Sequence, residues 1–333
     1  MAKTITFACW DYDRVMPVMD GTVPVEGYEV CPILLKPADL FPRTLQRQEF
    51  DVSELSFSSY MLQTSRGTSD YIAIPVFTSR AYRHSSIYVR NDAGINDPKD
   101  LEGKKVGIPE YQMTLVVWAR GMLQDEYGVD IKKMKLRRGA TNYAGLKERL
   151  KLELPDDIDI EPIPEDKSTN DLLLSGEIDA IISPTPPDSF VDGHENVREL
   201  LGGIRETEKA FHTRTGAFPI MHTVVIKKSI VEENPDLAPK LFSALCKGRN
   251  IALANLKEIS NGPANRLSIP WLQAELAETR RVMGDNYWWY GIERNRKELE
   301  NMCRYSQEQY LSERLLTVEE LFTESTLNLP DEF

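Results

Sequence analysis

The order of apolar and polar residues along the chain predicts alternating strands and helices. Strand patterns, in which apolar residues alternate or form short runs, cover 4–9, 30–35, 50–56, 72–76, 87–90, 104–108, 134–137, 178–183 and 218–227. Helical periodicity covers 37–48, 115–123, 168–175, 235–255 and 269–321, with predicted breaks at 261–263 and around 286–291. Strands that alternate with helices through short loops are typical of an α/β fold with mostly parallel sheets.

The strands fall into groups that predict two lobes. Strands within 1–90 and within 104–183 indicate two separate sheets, and the strand near 218–227 is followed only by helices. This order indicates that the chain returns to its first domain. We therefore predict one lobe from 1–90 plus 220–333 and a second from 91–219, with a ligand cleft between them. The charged, proline-rich segment 143–167 is predicted to be an exposed insertion.

One segment of the second lobe has the order strand, polar loop, apolar helix. It runs from Asp97 to Leu123, and its loop carries Tyr111, Gln112 and Thr114, with Thr114 a candidate helix cap. Ligands of α/β domains bind at such strand ends, and the N–H groups of a helix start favour an anion. An ordinary strand-to-helix connection is the alternative interpretation.

Composition and charge exclude some classes of function. A net charge of −12 argues against a nucleic-acid surface, which needs clustered lysine and arginine. The first residues carry no pattern of a charged region followed by an apolar one, and no apolar run approaches the ~20 residues of a membrane span. We therefore predict a cytoplasmic protein with no membrane partner. The four scattered cysteines are predicted to be reduced thiols.

Several motifs resemble those of known families. The run DPKDLEGKKVGIPE with its apolar helix, SGEIDAIISPTPP, and FPIMHTVVIKKSIVEENPDLAPKLFSAL resemble the second lobe and the return crossover of type II periplasmic binding proteins. Within that superfamily, ACWDYDR, FTSRAYRHSSIYVR and FPIMHT resemble the 4,5-dihydroxyphthalate decarboxylases, whereas the loop 138–145 departs from their pattern.

The resemblance implies both a fold and an activity. The fold is two-lobed, each lobe a mostly parallel sheet flanked by helices, with two crossover hinge strands. The activity is that of a carboxy-lyase in phthalate degradation, which converts an aromatic dicarboxylate such as 4,5-dihydroxyphthalate to protocatechuate plus CO2. The alternative is a non-catalytic solute-binding protein for an organic anion, as part of a transporter or sensor.

Such a decarboxylation needs an acid that protonates the ring carbon bearing the leaving carboxylate, and histidine is a common choice near neutral pH. The chain has four histidines. His84 lies in an arginine-rich loop, His222 at the mouth of the return strand, and His212 beside an arginine, so these three are the catalytic candidates. A histidine that is merely hydrogen-bonded at a strand end is the alternative for each. His194 lies in a surface-turn composition and is set aside.

Residues that could hold the substrate follow several strands. Arginines suit forked binding of carboxylates, although each could equally form surface ion pairs. Trp10 offers an aromatic wall and Asp11 a polar contact, with core packing and capping as the alternatives, and the serines could bind a carboxylate or cap a helix. The candidates, besides the helix-start residues Tyr111, Gln112 and Thr114, are Trp10, Asp11, Ser56, Ser58, Arg80, Arg83 and Arg214.

No organic cofactor is required, because the hydroxylated ring can itself take up the electron pair. A divalent metal is possible, but the histidines lie on separate segments and their spacing does not support a metal site. The predicted partners are a small anionic aromatic substrate and further copies of the chain in a homo-oligomer.

Overall fold

The structure is a computed structural model that describes residues 2–262 and 266–333. The strands, in chain order, are β1 (Lys3–Cys9), β2 (Tyr28–Leu34), β3 (Val52–Ser56), β4 (Tyr71–Arg80), β5 (Ile87–Arg90), β6 (Lys105–Ile108), β7 (Lys135–Arg138), β8 (Ile160–Pro162), β9 (Ala180–Ile182), β10 (Val197–Glu199) and β11 (Ile220–Lys227). The helices are α1 (Met16–Met19), α2 (Pro37–Arg47), α3 (Phe57–Ser65), α4 (Thr114–Tyr127), α5 (Thr169–Ser175), α6 (Asp188–Val191), α7 (Ile204–Thr215), α8 (Lys228–Glu233), α9 (Leu237–Asn261), α10 (Leu272–Met283) and α11 (Arg296–Glu308).

The chain divides into two compact units. The first unit holds 1–80, 215–301 and 316–333, and the second holds 81–214 and 302–315. The first unit thus ends at residue 80 rather than at the expected residue 90. The physical reason is that β5 pairs with β9 and β10, which belong to the second sheet.

Each unit is built on one mixed sheet. The strand order is β2-β1-β3-β11-β4 in the first sheet and β10-β5-β9-β6-β7-β8 in the second. Among the described residues, five of the nine strand pairings are parallel and four are antiparallel. The expectation of mostly parallel sheets therefore holds only for part of each sheet, because β11 and β5 run against their neighbours.

The first sheet brings four strand ends to one edge. β1 runs parallel to β3, and β11 runs antiparallel to both β3 and β4. The carboxyl ends of β1, β3 and β4 therefore lie at the same edge as the amino end of β11. Such an edge is where polar side chains can converge while the apolar residues stay in the core.

The second unit contains the helix whose ends were predicted most closely. The Ser168 hydroxyl accepts a hydrogen bond from the Asp171 amide, and the Asp171 carboxylate accepts one from the Ser168 amide, so a capping box starts α5. Gly176 ends it with a left-handed φ of 80°. The predicted helix over 168–175 is confirmed.

Two other expectations need correction. The segment 143–167 is not wholly an exposed insertion, because it contains β8, which pairs with β7 at the edge of the second sheet. The sequence pattern assigns no element to 197–211, yet β10 and the start of α7 lie there. The predicted helix break at 261–263 falls where α9 ends at Asn261, and Pro263 lies outside the described residues.

Among the helices of the described chain, none has the length and apolarity needed to cross a membrane.

Candidate active site

A buried carboxylate lies at the edge of the first sheet where the four strand ends meet. Glu54 is on β3, and its side chain is fully buried. Hydrogen-bond donors reach it from β1, the loop after β1, β4 and β11. They are Cys9 Sγ (3.6 Å), Trp10 N (3.1 Å), Tyr12 OH (2.7 Å), Thr78 Oγ1 (3.1 Å) and His222 Nδ1 (2.7 Å).

These donors keep Glu54 ionised. Burial by itself raises the pKa of the Glu54 carboxyl, but the hydrogen bond and charge of His222, with the bonds from Tyr12 and Trp10, outweigh it and lower the pKa below its ordinary value. Burial of the Tyr12 hydroxyl, together with the neighbouring Glu54 charge, raises the pKa of Tyr12 far above its ordinary value. Tyr12 is therefore a neutral hydrogen-bond donor and Glu54 a carboxylate.

His222 presents Nδ1 to the carboxylate, and its side chain is partly accessible. Its side chain is 18% exposed, and its ring packs edge-on against Phe41 at a centroid distance of 4.9 Å. Nδ1 is committed to Glu54, so any proton exchange with a ligand has to use Nε2. An imidazole held in this way by a carboxylate can act as a general acid or base.

An arginine that the sequence reasoning did not select lies beside this pair. The Arg14 guanidinium stacks between the rings of Tyr12 (4.5 Å) and Trp288 (3.8 Å) and donates to the Thr78 carbonyl. Nη1 also pairs with Asp13 at 3.0 Å. The two rings and the carbonyl hold the guanidinium in place, so Arg14 provides a fixed positive charge next to Tyr12.

The structure places four predicted substrate contacts at the same edge. Trp10 is 38% exposed and meets Tyr12 edge-on at 5.6 Å, and Asp11 is exposed beside it. Ser56 is directly opposite His222 in the pairing of β3 with β11, and Ser58 lies in the first turn of α3. The edge thus combines an aromatic surface, hydroxyl groups and a helix start.

Arg80 does not belong to this set. Its guanidinium is buried and donates to the carbonyls of Phe218 (2.7 Å) and Trp289 (3.0 Å) and to Asn295, and Glu298 lies 3.5 Å away. These contacts tie β4 to later parts of the same unit. We therefore treat Arg80 as a structural residue rather than a contact for substrate.

The other predicted histidines lie in the second unit. His84 is buried, and its Nδ1 has no hydrogen-bond partner among the residues that the structure describes. Burial, together with the charge of Arg214, lowers the pKa of His84 to about 4, so the ring is neutral at pH 7 and does not suit a general acid. His212 Nδ1 lies 3.0 Å from the Tyr82 hydroxyl.

Two predicted arginines accompany these histidines. Burial lowers the pKa of Arg83 to about 10, while the charge of Glu208 opposes the shift. Arg214, on α7, forms an ion pair with Glu126 of α4, and its side chain is 59% exposed. Arg83 therefore remains cationic at neutral pH, whereas Arg214 already has a carboxylate partner inside its own unit.

The predicted anion site at the start of α4 holds a carboxylate of the protein itself. Glu148 accepts from the backbone amides of Tyr111 (3.1 Å) and Gln112 (3.3 Å). Thr114 is the first helical residue rather than the cap, which is Met113, because the chain turns one residue earlier than expected. The predicted amides do bind a carboxyl group, but Glu148 of the protein itself provides it.

Glu148 gives this loop a pH dependence. Burial, and secondarily the charge of Glu110, raises the pKa of Glu148 to about 7 from an ordinary value of 4.5. Because the raised pKa means that the folded state binds the proton more tightly than the unfolded state does, protonation of Glu148 stabilises the fold. This stabilisation is complete below pH 4.5 and is lost as the pH rises through 7. We expect Glu148→Gln to remove that loss and to slow hydrogen exchange in α4 at pH 8 relative to the wild type.

The effect of Glu148→Gln should be on the order of 1 to 3 kcal/mol at pH 8 and near zero at pH 4.5. Hydrogen exchange of α4 peptides, compared between variant and wild type at each pH, measures it. Glu153→Gln is the matched control, because that side chain is 79% exposed. Equal protection of the Glu148→Gln variant and the wild type at both pH values would contradict the assignment.

Within residues 2–262 and 266–333, the histidine, cysteine, aspartate and glutamate side chains do not cluster in groups of three or more that could hold a metal ion. The described cysteines form no disulfide. Cys9 is buried, and its thiol donates a hydrogen bond to Glu54. The charged and titratable groups that meet at the edge of the first sheet include His222, Glu54, Tyr12 and Arg14.

Comparison with known proteins identifies the fold and the family. The family model described as NMT1/THI5 like matches residues 55–149. The structure resembles the periplasmic sulfonate-binding protein SsuA of Methylobacillus flagellatus, with a TM-score of 0.56 and 13% identity over 98% of this chain and 93% of that one. This likeness concerns the fold alone, and it confirms the predicted periplasmic-binding-protein-like class.

Two characterised relatives are much closer in sequence. A 4,5-dihydroxyphthalate decarboxylase of Pseudomonas putida is 42% identical over 196 residues, which cover 59% of this chain and 76% of the relative. A 4,5-dihydroxyphthalate decarboxylase of Comamonas testosteroni is 38% identical over 323 residues, which cover 97% of each chain. Identity at this level across nearly the full length shows that the protein belongs to the 4,5-dihydroxyphthalate decarboxylase family.

Proposed function

We propose that the protein is a carboxy-lyase that converts 4,5-dihydroxyphthalate to protocatechuate and CO2. Membership of the decarboxylase family supports an enzyme over a non-catalytic solute-binding protein. The observation that carries the proposal is the contact of 2.7 Å between His222 Nδ1 and the buried Glu54 carboxylate, because it supplies the proton-transfer group that the reaction needs.

The reaction replaces one ring carboxylate by a proton. The ring hydroxyl para to that carboxylate pushes electron density into the ring, and the protonated His222 delivers its Nε2 proton to the carbon that bears the carboxylate. The carbon–carbon bond then breaks, its electron pair returns to the ring, and CO2 leaves. The adjacent Glu54 carboxylate stabilises the positive charge of the imidazolium before the transfer.

The residues around His222 suit an aromatic dianion. Trp10 offers an exposed indole face to a ring, and Arg14 offers a positive charge fixed by the rings of Tyr12 and Trp288. Ser56, directly opposite His222 in the strand pairing, adds a hydroxyl group beside it, and Ser58 lies in the first turn of α3. We propose that the carboxylate that stays in the product binds to these groups, so that its binding energy positions the carboxylate that leaves.

The proposal includes no organic cofactor and no metal ion, because the hydroxylated ring can accept the electron pair itself. We expect turnover with 4,5-dihydroxyphthalate to be unchanged, within about twofold, in the presence of a chelator such as EDTA. The measurement is CO2 release together with the ultraviolet change of the ring. A loss of activity that is restored by a divalent cation would contradict this part of the proposal.

The same assay separates the enzyme from the alternative. Tight binding of 4,5-dihydroxyphthalate without CO2 release, over hours and across pH 5 to 9, would overturn the decarboxylase and favour a binding protein for an aromatic anion. A cytoplasmic location and a homo-oligomeric state remain predictions, which cell fractionation and light scattering can test.

A further inference from the structure

The donors around Glu54 divide unequally between its two oxygens. Oε1 accepts from side chains only, namely Tyr12 OH, Thr78 Oγ1 and His222 Nδ1. Oε2 accepts from the backbone N–H of Trp10 and the thiol of Cys9. Hydroxyl and imidazole groups can reverse their hydrogen bonds, whereas a backbone N–H can only donate. The Oε2 position is therefore fixed as an acceptor.

This arrangement also fixes the imidazole. Because Glu54 is fully buried and ionised, it offers only acceptors, so His222 Nδ1 must carry a hydrogen. The tautomer of a histidine is set by the hydrogen bond of the nitrogen that does not react. In the neutral ring, Nε2 then holds a lone pair, and in the protonated ring Nε2 holds the proton that can leave.

We propose that Glu54 is the positioning residue of the reaction: it holds His222 in the Nδ1–H tautomer and makes Nε2 the atom that exchanges protons with the substrate. The inference rests on the proposed function, in which His222 is the acid. Glu54 itself has no exposed surface, so it acts through the imidazole rather than by touching the substrate.

A purely structural role would leave part of the arrangement unexplained. Burying a carboxylate costs several kcal/mol in free energy, and an apolar residue of similar volume is often as stable or more so. Tyr12 and His222 both donate to Oε1 at 2.7 Å, and Phe41 packs against the ring from another side. Carboxylate and phenyl ring together restrict the imidazole to one orientation, which proton transfer at a defined carbon requires.

The variant Glu54→Gln tests the tautomer directly. The new amide oxygen should take the Oε2 position, because the Trp10 N–H needs an acceptor there. The NH2 group then lies at the Oε1 position and faces His222 Nδ1. That nitrogen can only accept from the amide, so the ring must switch to the Nε2–H tautomer.

We expect two results from this variant. Long-range proton–nitrogen NMR spectra should show His222 as the Nδ1–H tautomer in the wild type and as the Nε2–H tautomer in Glu54→Gln; with four histidines in the chain, the spectrum of His222→Gln assigns the signal. The value of kcat should fall on the order of 10²- to 10⁴-fold. The Kd for 4,5-dihydroxyphthalate should change less than about threefold, because Glu54 does not reach the substrate.

Two further variants complete the test. Glu54→Asp keeps a carboxylate and should retain the Nδ1–H tautomer and recover part of the lost kcat. Glu29→Gln, on the exposed face of β2, is the matched control and should behave like the wild type. If Glu54→Gln does not fold, the His222 tautomer of the wild type, together with the tautomer and kcat of Glu54→Asp, tests the inference instead.

An Nε2–H tautomer in the wild type would overturn the inference. So would a tautomer switch in Glu54→Gln that leaves kcat unchanged, or a fall in kcat with the wild-type tautomer retained. Failure of the proposed function looks different: the wild type would then release no CO2, while its His222 tautomer would still be the one assigned here.

Discussion

Replacing His222 with glutamine should lower kcat on the order of 10²- to 10⁴-fold, the usual contribution of a general acid. Glutamine keeps a polar group of similar reach and can still donate its amide hydrogen to Glu54, so the sheet edge should stay folded. It has no proton that can be transferred near neutral pH. Initial rates of CO2 release from 4,5-dihydroxyphthalate measure the effect.

Binding and a control variant separate chemistry from folding. The Kd for the substrate should stay within about tenfold of the wild type, or about 1.4 kcal/mol, because the neighbours of His222 remain in place. His194→Gln is the matched control: that histidine is exposed, and its Nδ1 accepts a local hydrogen bond from the Asn196 amide. A His222→Gln variant with more than a tenth of the wild-type kcat would show that another group supplies the proton.

The parts of the fold that could be predicted depend on neighbours in the sequence. The capping box of Ser168 with Asp171, and the left-handed Gly176, use residues within a few positions of one another, so the pattern identifies α5 directly. The strand before α3 and the return strand β11 were likewise evident from apolar alternation. The strand pairings that make both sheets mixed join distant segments, and periodicity carries no information on their direction.

The candidate site was predicted only in part, because the sequence pattern locates strand ends but carries no information on contacts between distant segments. His222, Trp10 and the serines lie at or just beyond strand ends, and strand ends could be located from the pattern. Glu54 was missed, because a carboxylate on an alternating strand usually points to solvent, whereas every residue of β3 is buried. Glu54 is flanked on both sides by small or apolar residues, and an acidic residue with such neighbours in a strand is a signal that could have identified it.

Other predicted contacts were reassigned by partners far away in the chain. Arg80 meets carbonyl and carboxylate oxygens at positions 218, 289, 295 and 298, and the amides of Tyr111 and Gln112 meet Glu148. In both cases the chemistry of the predicted group was right, since Arg80 binds oxygens and the amides bind an anion. The partner was part of the protein, and only the tertiary structure could show that.

Replacing Arg80 with methionine should destabilise the first unit by about 3 to 5 kcal/mol, the usual cost of removing one partner of a buried ion pair. Glu298 is 3% exposed, and burial raises its pKa even beside Arg80. Without Arg80 its carboxyl group would lose its cation, and the carbonyls of Phe218 and Trp289 would lose their donors. Denaturant unfolding, followed by the tryptophan fluorescence of this unit, measures the loss.

A double-mutant cycle with Glu298→Gln distinguishes this structural role from a contact with substrate. Glutamine keeps an oxygen for the Phe218 amide but has no charge to compensate, so the second change should cost less in Arg80→Met than in the wild type. A coupling free energy of at least about 1 kcal/mol is expected for residues in one buried network. If Arg80 bound the substrate carboxylate instead, Arg80→Met would raise KM by tenfold or more while leaving the unfolding midpoint and the effect of Glu298→Gln unchanged.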